Sequence, residues 1–222
     1  MIATIDLGDA LADIATALQV PVLIAAVLVL LLCAVELGRF GTEVWRRRVR
    51  ARQVDLGELT ARAIADPGRA SIYAYSAPGA IAAEAVAGLA SAAQAPDRPA
   101  ATERTLARYE LTAQRRLDRT RLLVRAGPAI GLMGTLIPLA PGLAALGEGD
   151  VASLADNLRD AFGATVVGLL VGTVAFALTL ARTRMYTEDL AALEQGAEMP
   201  PPAPPAPAAQ DQALASSWSR GT

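Results

Sequence analysis

Histidine and lysine are absent from this chain of 222 residues, and cysteine occurs only once. Without histidine, the chain lacks the commonest metal ligand and the commonest general base. The single cysteine, Cys33, cannot form a disulfide or a thiolate metal site within one chain. The sequence also contains no nucleophile elbow and no phosphate-binding loop. We therefore expect no enzymatic activity, no bound metal and no cofactor.

Charge is absent from three long stretches of the sequence, residues 14–35, 126–146 and 161–181. As helices, these stretches would each extend about 31 to 33 Å, which is enough to cross the hydrocarbon core of a bilayer. They also explain why 53% of the residues are hydrophobic. The sequence predicts an all-α integral membrane protein with three transmembrane helices and long helices that extend into the cytoplasm.

The charged residues are segregated along the chain. Residues 39–125 contain sixteen arginines and nine acids, whereas residues 1–38 contain four acids and no base, and residues 147–160 contain four acids and one arginine. Basic segments stay on the cytoplasmic side of a membrane. We expect the N-terminus outside and the C-terminus in the cytoplasm. Topology and anionic lipid account for the arginines, so we expect a bilayer and no nucleic acid as partner.

Apolar runs and helix breakers divide the chain into eight segments. They are an outside amphipathic segment (1–18), a first span (19–38), a cytoplasmic helical region (39–121), a second span (122–146), an outside loop (147–157), a third span (158–181), a cytoplasmic helix end (182–196) and a Pro-rich disordered tail (197–222).

Local signals predict where helices break and begin. Asp66-Pro67-Gly68 and residues 96–99 are expected breaks, and no breaker separates the helical pattern at residues 102–125 from the second span. Ser153, Asp156 and Asn157 are candidate caps for the helix that becomes the third span.

The second and third spans carry small residues and hydroxyls where a simple anchor would carry leucine. Asp160 heads a stripe of small residues four apart on one face of the third span, and Thr165 lies about 7.5 Å deeper. Such a face fits a wet or proton-conducting path, or tight helix packing in which Asp160 only caps the helix. The residues of interest for packing or lining are Pro128, Gly131, Gly134, Pro138, Ala164, Gly168 and Gly172.

The second span has Pro128 followed by Gly131-Leu132-Met133-Gly134-Thr135, which resembles the G-L-x-G-T motif of the MotA/TolQ/ExbB proton channel family. The third has Asp160, then Ala161-Phe162-Gly163-Ala164-Thr165, then Gly168-Leu169, similar to the pattern of the ExbB and TolQ branch. Roughly 60 residues, from about 120 to 181, resemble the family in detail.

This resemblance implies a homopentamer in the inner membrane of a bacterium or archaeon. The central pore would hold the transmembrane helices of two single-span partner chains of the ExbD, TolR or MotB type, each with a membrane Asp. The ring would conduct protons and couple the proton motive force to work on a cell-envelope or transport partner. Thr135 and Thr165 would be its pore-facing hydroxyls, and Asp160 would stand for the family's Glu at the channel entrance. The alternative is a non-conducting membrane scaffold that gathers partner proteins through the small-residue faces.

Overall fold

The computed structural model describes residues 7–50 and 55–199, which form helices and turns and no strand. The predicted outside segment lies partly, and the Pro-rich tail almost wholly, outside these residues. The helices are α1 (Leu7–Arg50), α2 (Leu56–Ala65), α3 (Ala70–Ser76), α4 (Ala80–Ala92), α5 (Arg98–Gly147) and α6 (Val151–Glu198), with a 3-10 turn at Pro67–Arg69.

Three of these helices, α1, α5 and α6, are long and apolar enough to cross a membrane, as the uncharged runs predict. Helix α5 has 50 residues and continues without a break through three internal prolines. The unbroken helix from the polar segment into the second apolar run is therefore confirmed. The break at Asp66-Pro67-Gly68 is also observed, between α2 and α3.

The connection between α5 and α6 is shorter than the sequence suggests. Helix α6 begins at Val151, ahead of the candidate caps. The Asp150 carboxylate accepts hydrogen bonds from the Ser153 backbone N–H (3.0 Å) and from the Ser153 hydroxyl. Asp150 is thus the capping residue, because its side chain satisfies an N–H that the first turn leaves without a partner.

The chain divides into two compact units. Among the described residues, the first unit contains residues 7–50 and Ala107–Leu190, and the second contains residues 55–106 and 191–199. The first unit therefore holds α1, most of α5 and most of α6. The second unit holds α2, α3, α4 and the remaining ends of α5 and α6.

Helices α5 and α6 run antiparallel in the first unit, and their register is constant. Tyr109 contacts Asp189 at one end of the pairing, and Gly134 faces Ala164 further along. Tyr109 and Gly134 are 25 residues apart on α5, and Ala164 and Asp189 are also 25 residues apart on α6. Gly142 then lies against Leu154 and Asn157. A residue of α5 can therefore be assigned its level on α6 by counting from these contacts.

Helix α1 packs along α6 in the same direction. Cys33 lies against Val171, and both belong to an apolar cluster with Leu123 and Ala175. Most other large apolar side chains of α1 between Ile14 and Val35 are exposed. An apolar surface of this extent suits contact with lipid.

The second unit has its own core of small apolar side chains. Leu59, Ala63, Val86 and Leu89 are among its most buried residues. Gly196, near the end of α6, lies against the Gly57 carbonyl and the Thr60 side chain of α2, so that a Cβ there would meet both. Only a glycine allows this approach.

Candidate functional site

The predicted small residues meet one another where α5 packs on α6. A methyl group added at Gly168 would lie 2.5 Å from the Gly127 carbonyl oxygen and 2.7 Å from the Gly131 Cα. A Cβ added at Gly134 would lie 2.5 Å from the Ala164 Cβ. These glycines let the two backbones approach closely, which is how helices associate in lipid. We call the contact formed by Gly127, Gly131, Gly134, Ala164, Gly168 and Gly172 the small-residue seam.

One of the predicted prolines, Pro128, belongs to the same contact. The Pro128 ring lies beside Gly172, where an added Cβ would come within 2.9 Å of two ring carbons. Pro138 is fully buried. A proline removes one backbone donor from a helix, and neighbouring helices can accommodate the kink. Six of the residues named for packing or lining thus contact one another between α5 and α6, and the seventh, Pro138, is buried.

Thr135 and Thr165 lie at nearly the same depth on their two helices. Counting from the contact of Gly134 with Ala164, Thr135 is level with Gly163, two residues from Thr165. Both threonines are half-buried. The Thr135 hydroxyl donates to the Leu132 carbonyl at 2.7 Å, and the Thr165 hydroxyl donates to the Ala161 carbonyl at 3.2 Å. Each hydroxyl oxygen can also accept a hydrogen bond.

By the same count, Asp160 of α6 is level with Pro138 of α5. The contact of Gly142 with Asn157, about one helical turn further along, supports this register. The uncharged run of α5 continues for eight more residues beyond Pro138, about 12 Å at the rise of a helix. Asp160 is exposed on the surface of the chain. In the described part of the chain, no hydrogen bond or ion pair holds its carboxylate. The side chain is therefore available to water or to another molecule.

A second group of polar side chains lies beyond the apolar runs of the long helices. The sequence pattern did not predict it. Arg47 of α1 donates two hydrogen bonds to Asp189 of α6, from Nη1 to Oδ1 at 2.8 Å and from Nη2 to Oδ2 at 2.5 Å. The Tyr109 hydroxyl of α5 also donates to Asp189 Oδ2 at 3.2 Å. Burial first, and then the Asp189 charge, raise the pKa of Tyr109. One carboxylate thus connects all three long helices.

A neighbouring ion pair joins the ends of two apolar runs. Arg182 of α6 donates from Nη1 to Glu36 Oε2 of α1 at 2.7 Å, and both side chains are at least nine-tenths buried. Glu43 lies between the two ion pairs, 3.8 Å from Arg47 and 3.9 Å from Arg182. The sequence carries a signal that could have predicted this ion pair, because Glu36 and Arg182 each directly follow an uncharged run. Opposite charges at matching ends of parallel helices are natural partners.

The described residues contain no group of three His, Cys, Asp or Glu side chains that could hold a metal ion. What the first unit offers is a pair of hydroxyls and an unpaired carboxylate alongside apolar helices. These groups can bind water and exchange protons.

Comparison with known proteins identifies one family. The model of the MotA/TolQ/ExbB proton channel family matches residues 76–195, which is more than half of the chain and includes both motif-bearing helices. No curated protein and no solved structure matches the chain. This family consists of proton channel components rather than of known enzymes. The chain belongs to the MotA/TolQ/ExbB proton channel family.

Proposed function

We propose that this chain is the ring-forming subunit of a pentameric inner-membrane proton channel that couples the proton motive force to work on a cell-envelope or transport partner. The N-terminus lies outside and the C-terminus in the cytoplasm. The pore holds a single-span partner of the ExbD, TolR or MotB type. Family membership supports a proton channel component. The ring, its partner and the coupled work are our inference.

The observation that carries the proposal is the position of Asp160. Its carboxylate is exposed, has no partner in the described part of the chain, and is level with the buried Pro138 of the apolar helix α5. An ionised carboxylate at such a depth is costly when it faces hydrocarbon. It therefore faces a water-filled path or another chain. A ring of identical subunits with an internal pore provides both.

Thr135 and Thr165 extend this path from Asp160. Thr165 lies five residues deeper on the same helix, about 7.5 Å along its axis. Thr135 supplies a second hydroxyl at nearly the same depth from α5. Hydroxyls at this level can hold water or relay a proton to an acid on the partner helix.

The alternative function, a non-conducting scaffold, depends on small-residue faces that remain available to partners. In this structure the seam glycines are occupied by contacts between α5 and α6 of the same chain. Added bulk at those glycines would disturb the subunit itself under either function, so it does not distinguish them. Substitution of Asp160 distinguishes the two functions, because only the channel needs its carboxylate.

The test is proton flux in vesicles that contain the complete complex of this chain with its co-purifying partner. We expect Asp160→Asn or Thr165→Val to reduce voltage-driven proton uptake at least tenfold while the native mass of the complex stays that of the wild type. Asp156→Asn is the matched control, because Asp156 is also exposed on α6, one turn before Asp160. Wild-type flux in Asp160→Asn would contradict the proposed path. A monomeric or dimeric chain in lipid would contradict the ring.

A further inference from the structure

Two arginines of α5 lie at a depth where the neighbouring helix α6 is apolar. Arg125 is sixteen residues after Tyr109, which places it level with Thr173, sixteen residues before Asp189. Arg121 lies about one turn before Arg125. Both levels fall inside the long uncharged run of α6. The charge bias that orients a membrane protein places arginines beyond the ends of apolar runs, so it does not explain this depth.

Both arginines lie on the side of α5 that carries Thr135. At about 100° of rotation per residue, four side chains fall within about 80° of the helix circumference, namely Arg121, Arg125, Leu132 and Thr135. The Arg121 side chain is 54% exposed, and Leu132 is 60% exposed. Arg125 is exposed as well. In the proposed ring Thr135 faces the pore, and the two guanidinium groups therefore face the same pore.

The chain offers this pair little neutralising charge. Arg121 makes one exposed contact of 3.5 Å with Asp118, an i,i+3 pair of the kind that contributes little. No hydrogen bond or ion pair in the described part of the chain involves Arg125. The acid at the corresponding end of α1, Glu36, is buried and binds Arg182. The pair is therefore a fixed positive charge on the surface of the subunit.

A positive ring inside the pore would oppose the passage of protons. Around a pore that holds two helices, each about 10 Å across, neighbouring copies of the pair would lie about 12 Å apart. This spacing is close to the Debye length of about 8–10 Å, so the charges of the five copies reinforce one another. Arginine in a pore is an electrostatic barrier to cations and protons. A proton channel with this ring needs an anionic group at the same level.

We propose that Arg121 and Arg125 bind acidic side chains of the single-span chain that occupies the pore. This inference rests on the proposed function. It assigns to that chain an acid distinct from its membrane Asp, since Arg125 lies about 15 Å along the helix from Thr135. Guanidinium groups bind carboxylates through paired, charge-assisted hydrogen bonds. The contact neutralises the ring and fixes the depth of the partner helix in the pore.

The test uses the absence of lysine from this chain. Arg121→Lys and Arg125→Lys, made separately, each keep the positive charge and introduce the only side-chain amine of the subunit. The complex of the full-length chain with its co-purifying partner is treated with a carbodiimide in lipid vesicles. This reagent joins an amine to a carboxylate in direct contact as an amide, and the carboxylate oxygen leaves in the urea by-product. Mass spectrometry of the cross-linked peptides identifies the two residues.

We expect each variant to form an amide with an Asp or Glu of the single-span chain. The yield should be at least fivefold higher than that of the matched control, Arg119→Lys. Arg119 is exposed on the same helix and lies only about 3 Å along the axis from Arg121, but it is about 160° away around that axis. The control therefore introduces the same amine at nearly the same depth on the opposite side of α5.

A second measurement tests the neutralisation itself. The partner acid that the cross-link identifies is changed to its amide, which should lower proton flux at least threefold because the ring is then uncompensated. Adding Arg121→Gln with Arg125→Gln to this chain removes the excess positive charge and should restore the flux. A contact that only holds the complex together would not be rescued by losing its second half.

Four results would overturn the inference and leave the proposed function intact. They are a co-purifying single-span chain that forms no amide with either variant, an equal yield in Arg119→Lys, an amide that joins two copies of this chain, and a flux that stays low in the combined variant. Absence of any single-span chain from the wild-type complex would contradict the proposed function together with this inference. The two failures are therefore distinguishable.

Discussion

Gly168 lies so close to Gly127 that a methyl group on Gly168 would come within 2.5 Å of the Gly127 carbonyl oxygen. The same methyl would come within 2.7 Å of the Gly131 Cα. Backbone atoms on both sides cannot move away as a flexible side chain could. Gly168→Ala should therefore separate α5 from α6 and destabilise the fold by about 1–3 kcal/mol, the usual cost of overpacking.

The measurement is thermal unfolding in mild detergent, followed by loss of helical signal. Gly163→Ala is the control, because Gly163 lies on the same helix and an added Cβ there meets nothing within 4 Å. It should be neutral or slightly stabilising, since alanine is the better helix former. Equal stability of the two variants would contradict the seam geometry.

The ion pair of Arg182 with Glu36 predicts a large coupling between the effects of the two side chains on the free energy of unfolding. Removing either partner leaves the other charge buried, which typically costs about 3–5 kcal/mol. Replacing both, as Glu36→Gln with Arg182→Gln, removes both charges and should cost clearly less than the sum of the single changes. A double-mutant cycle on unfolding free energies measures this. Additive single and double changes would show that the two side chains do not interact.

The hydrogen bond from Tyr109 to Asp189 predicts a smaller loss of folding stability. Tyr109→Phe removes one donor while Arg47 still binds both carboxylate oxygens, so we expect a loss of about 0.5–1.5 kcal/mol. Arg47→Gln should cost more, because Asp189 then loses its charge partner. Denaturation of the two variants under one set of conditions tests this order. The reverse order would mean that the tyrosine, and not the arginine, holds the carboxylate.

The contact of Gly196 with α2 predicts a local effect in the second unit. Gly196→Ala would place a Cβ 2.6 Å from the Thr60 Cβ and against the Gly57 carbonyl. We expect faster amide hydrogen exchange in residues 56–65, with little change in the α5–α6 pairing of the first unit. Gly68→Ala provides the comparison, because the nearest atom to its added Cβ is Asp66 Oδ1 at 3.4 Å. Unchanged exchange in α2 would contradict the contact.

Much of the architecture follows from the order of residues. Runs without charge at 126–146 and 161–181 predict long apolar helices, because burying charge in lipid is costly and a helix satisfies its own backbone. The spacing of Gly131, Gly134 and Gly168 predicts faces that can pack closely. The break at Asp66-Pro67-Gly68 follows from backbone chemistry alone. Each of these signals is local in sequence.

The motif residues were also found from sequence, but their relative depth was not. Asp160 follows the acidic loop directly, so its position in the chain is compatible with either the membrane surface or the apolar layer. The register against α5, which brings Asp160 level with Pro138, becomes visible only when the two helices are packed together. Register depends on which glycines face one another across two helices, and a single helix carries no information about that choice.

The sequence by itself determined three apolar helices, their breaks and the residue types that identify a proton channel family. Tertiary structure decided that Gly127 meets Gly168, that Arg47 binds Asp189, and that Arg125 lies level with Thr173. These relationships join residues 41 to 142 positions apart. They arise from packing between helices. The apolar pattern permits several registers of one helix against another, and close backbone approach together with burial of paired charges selects one of them.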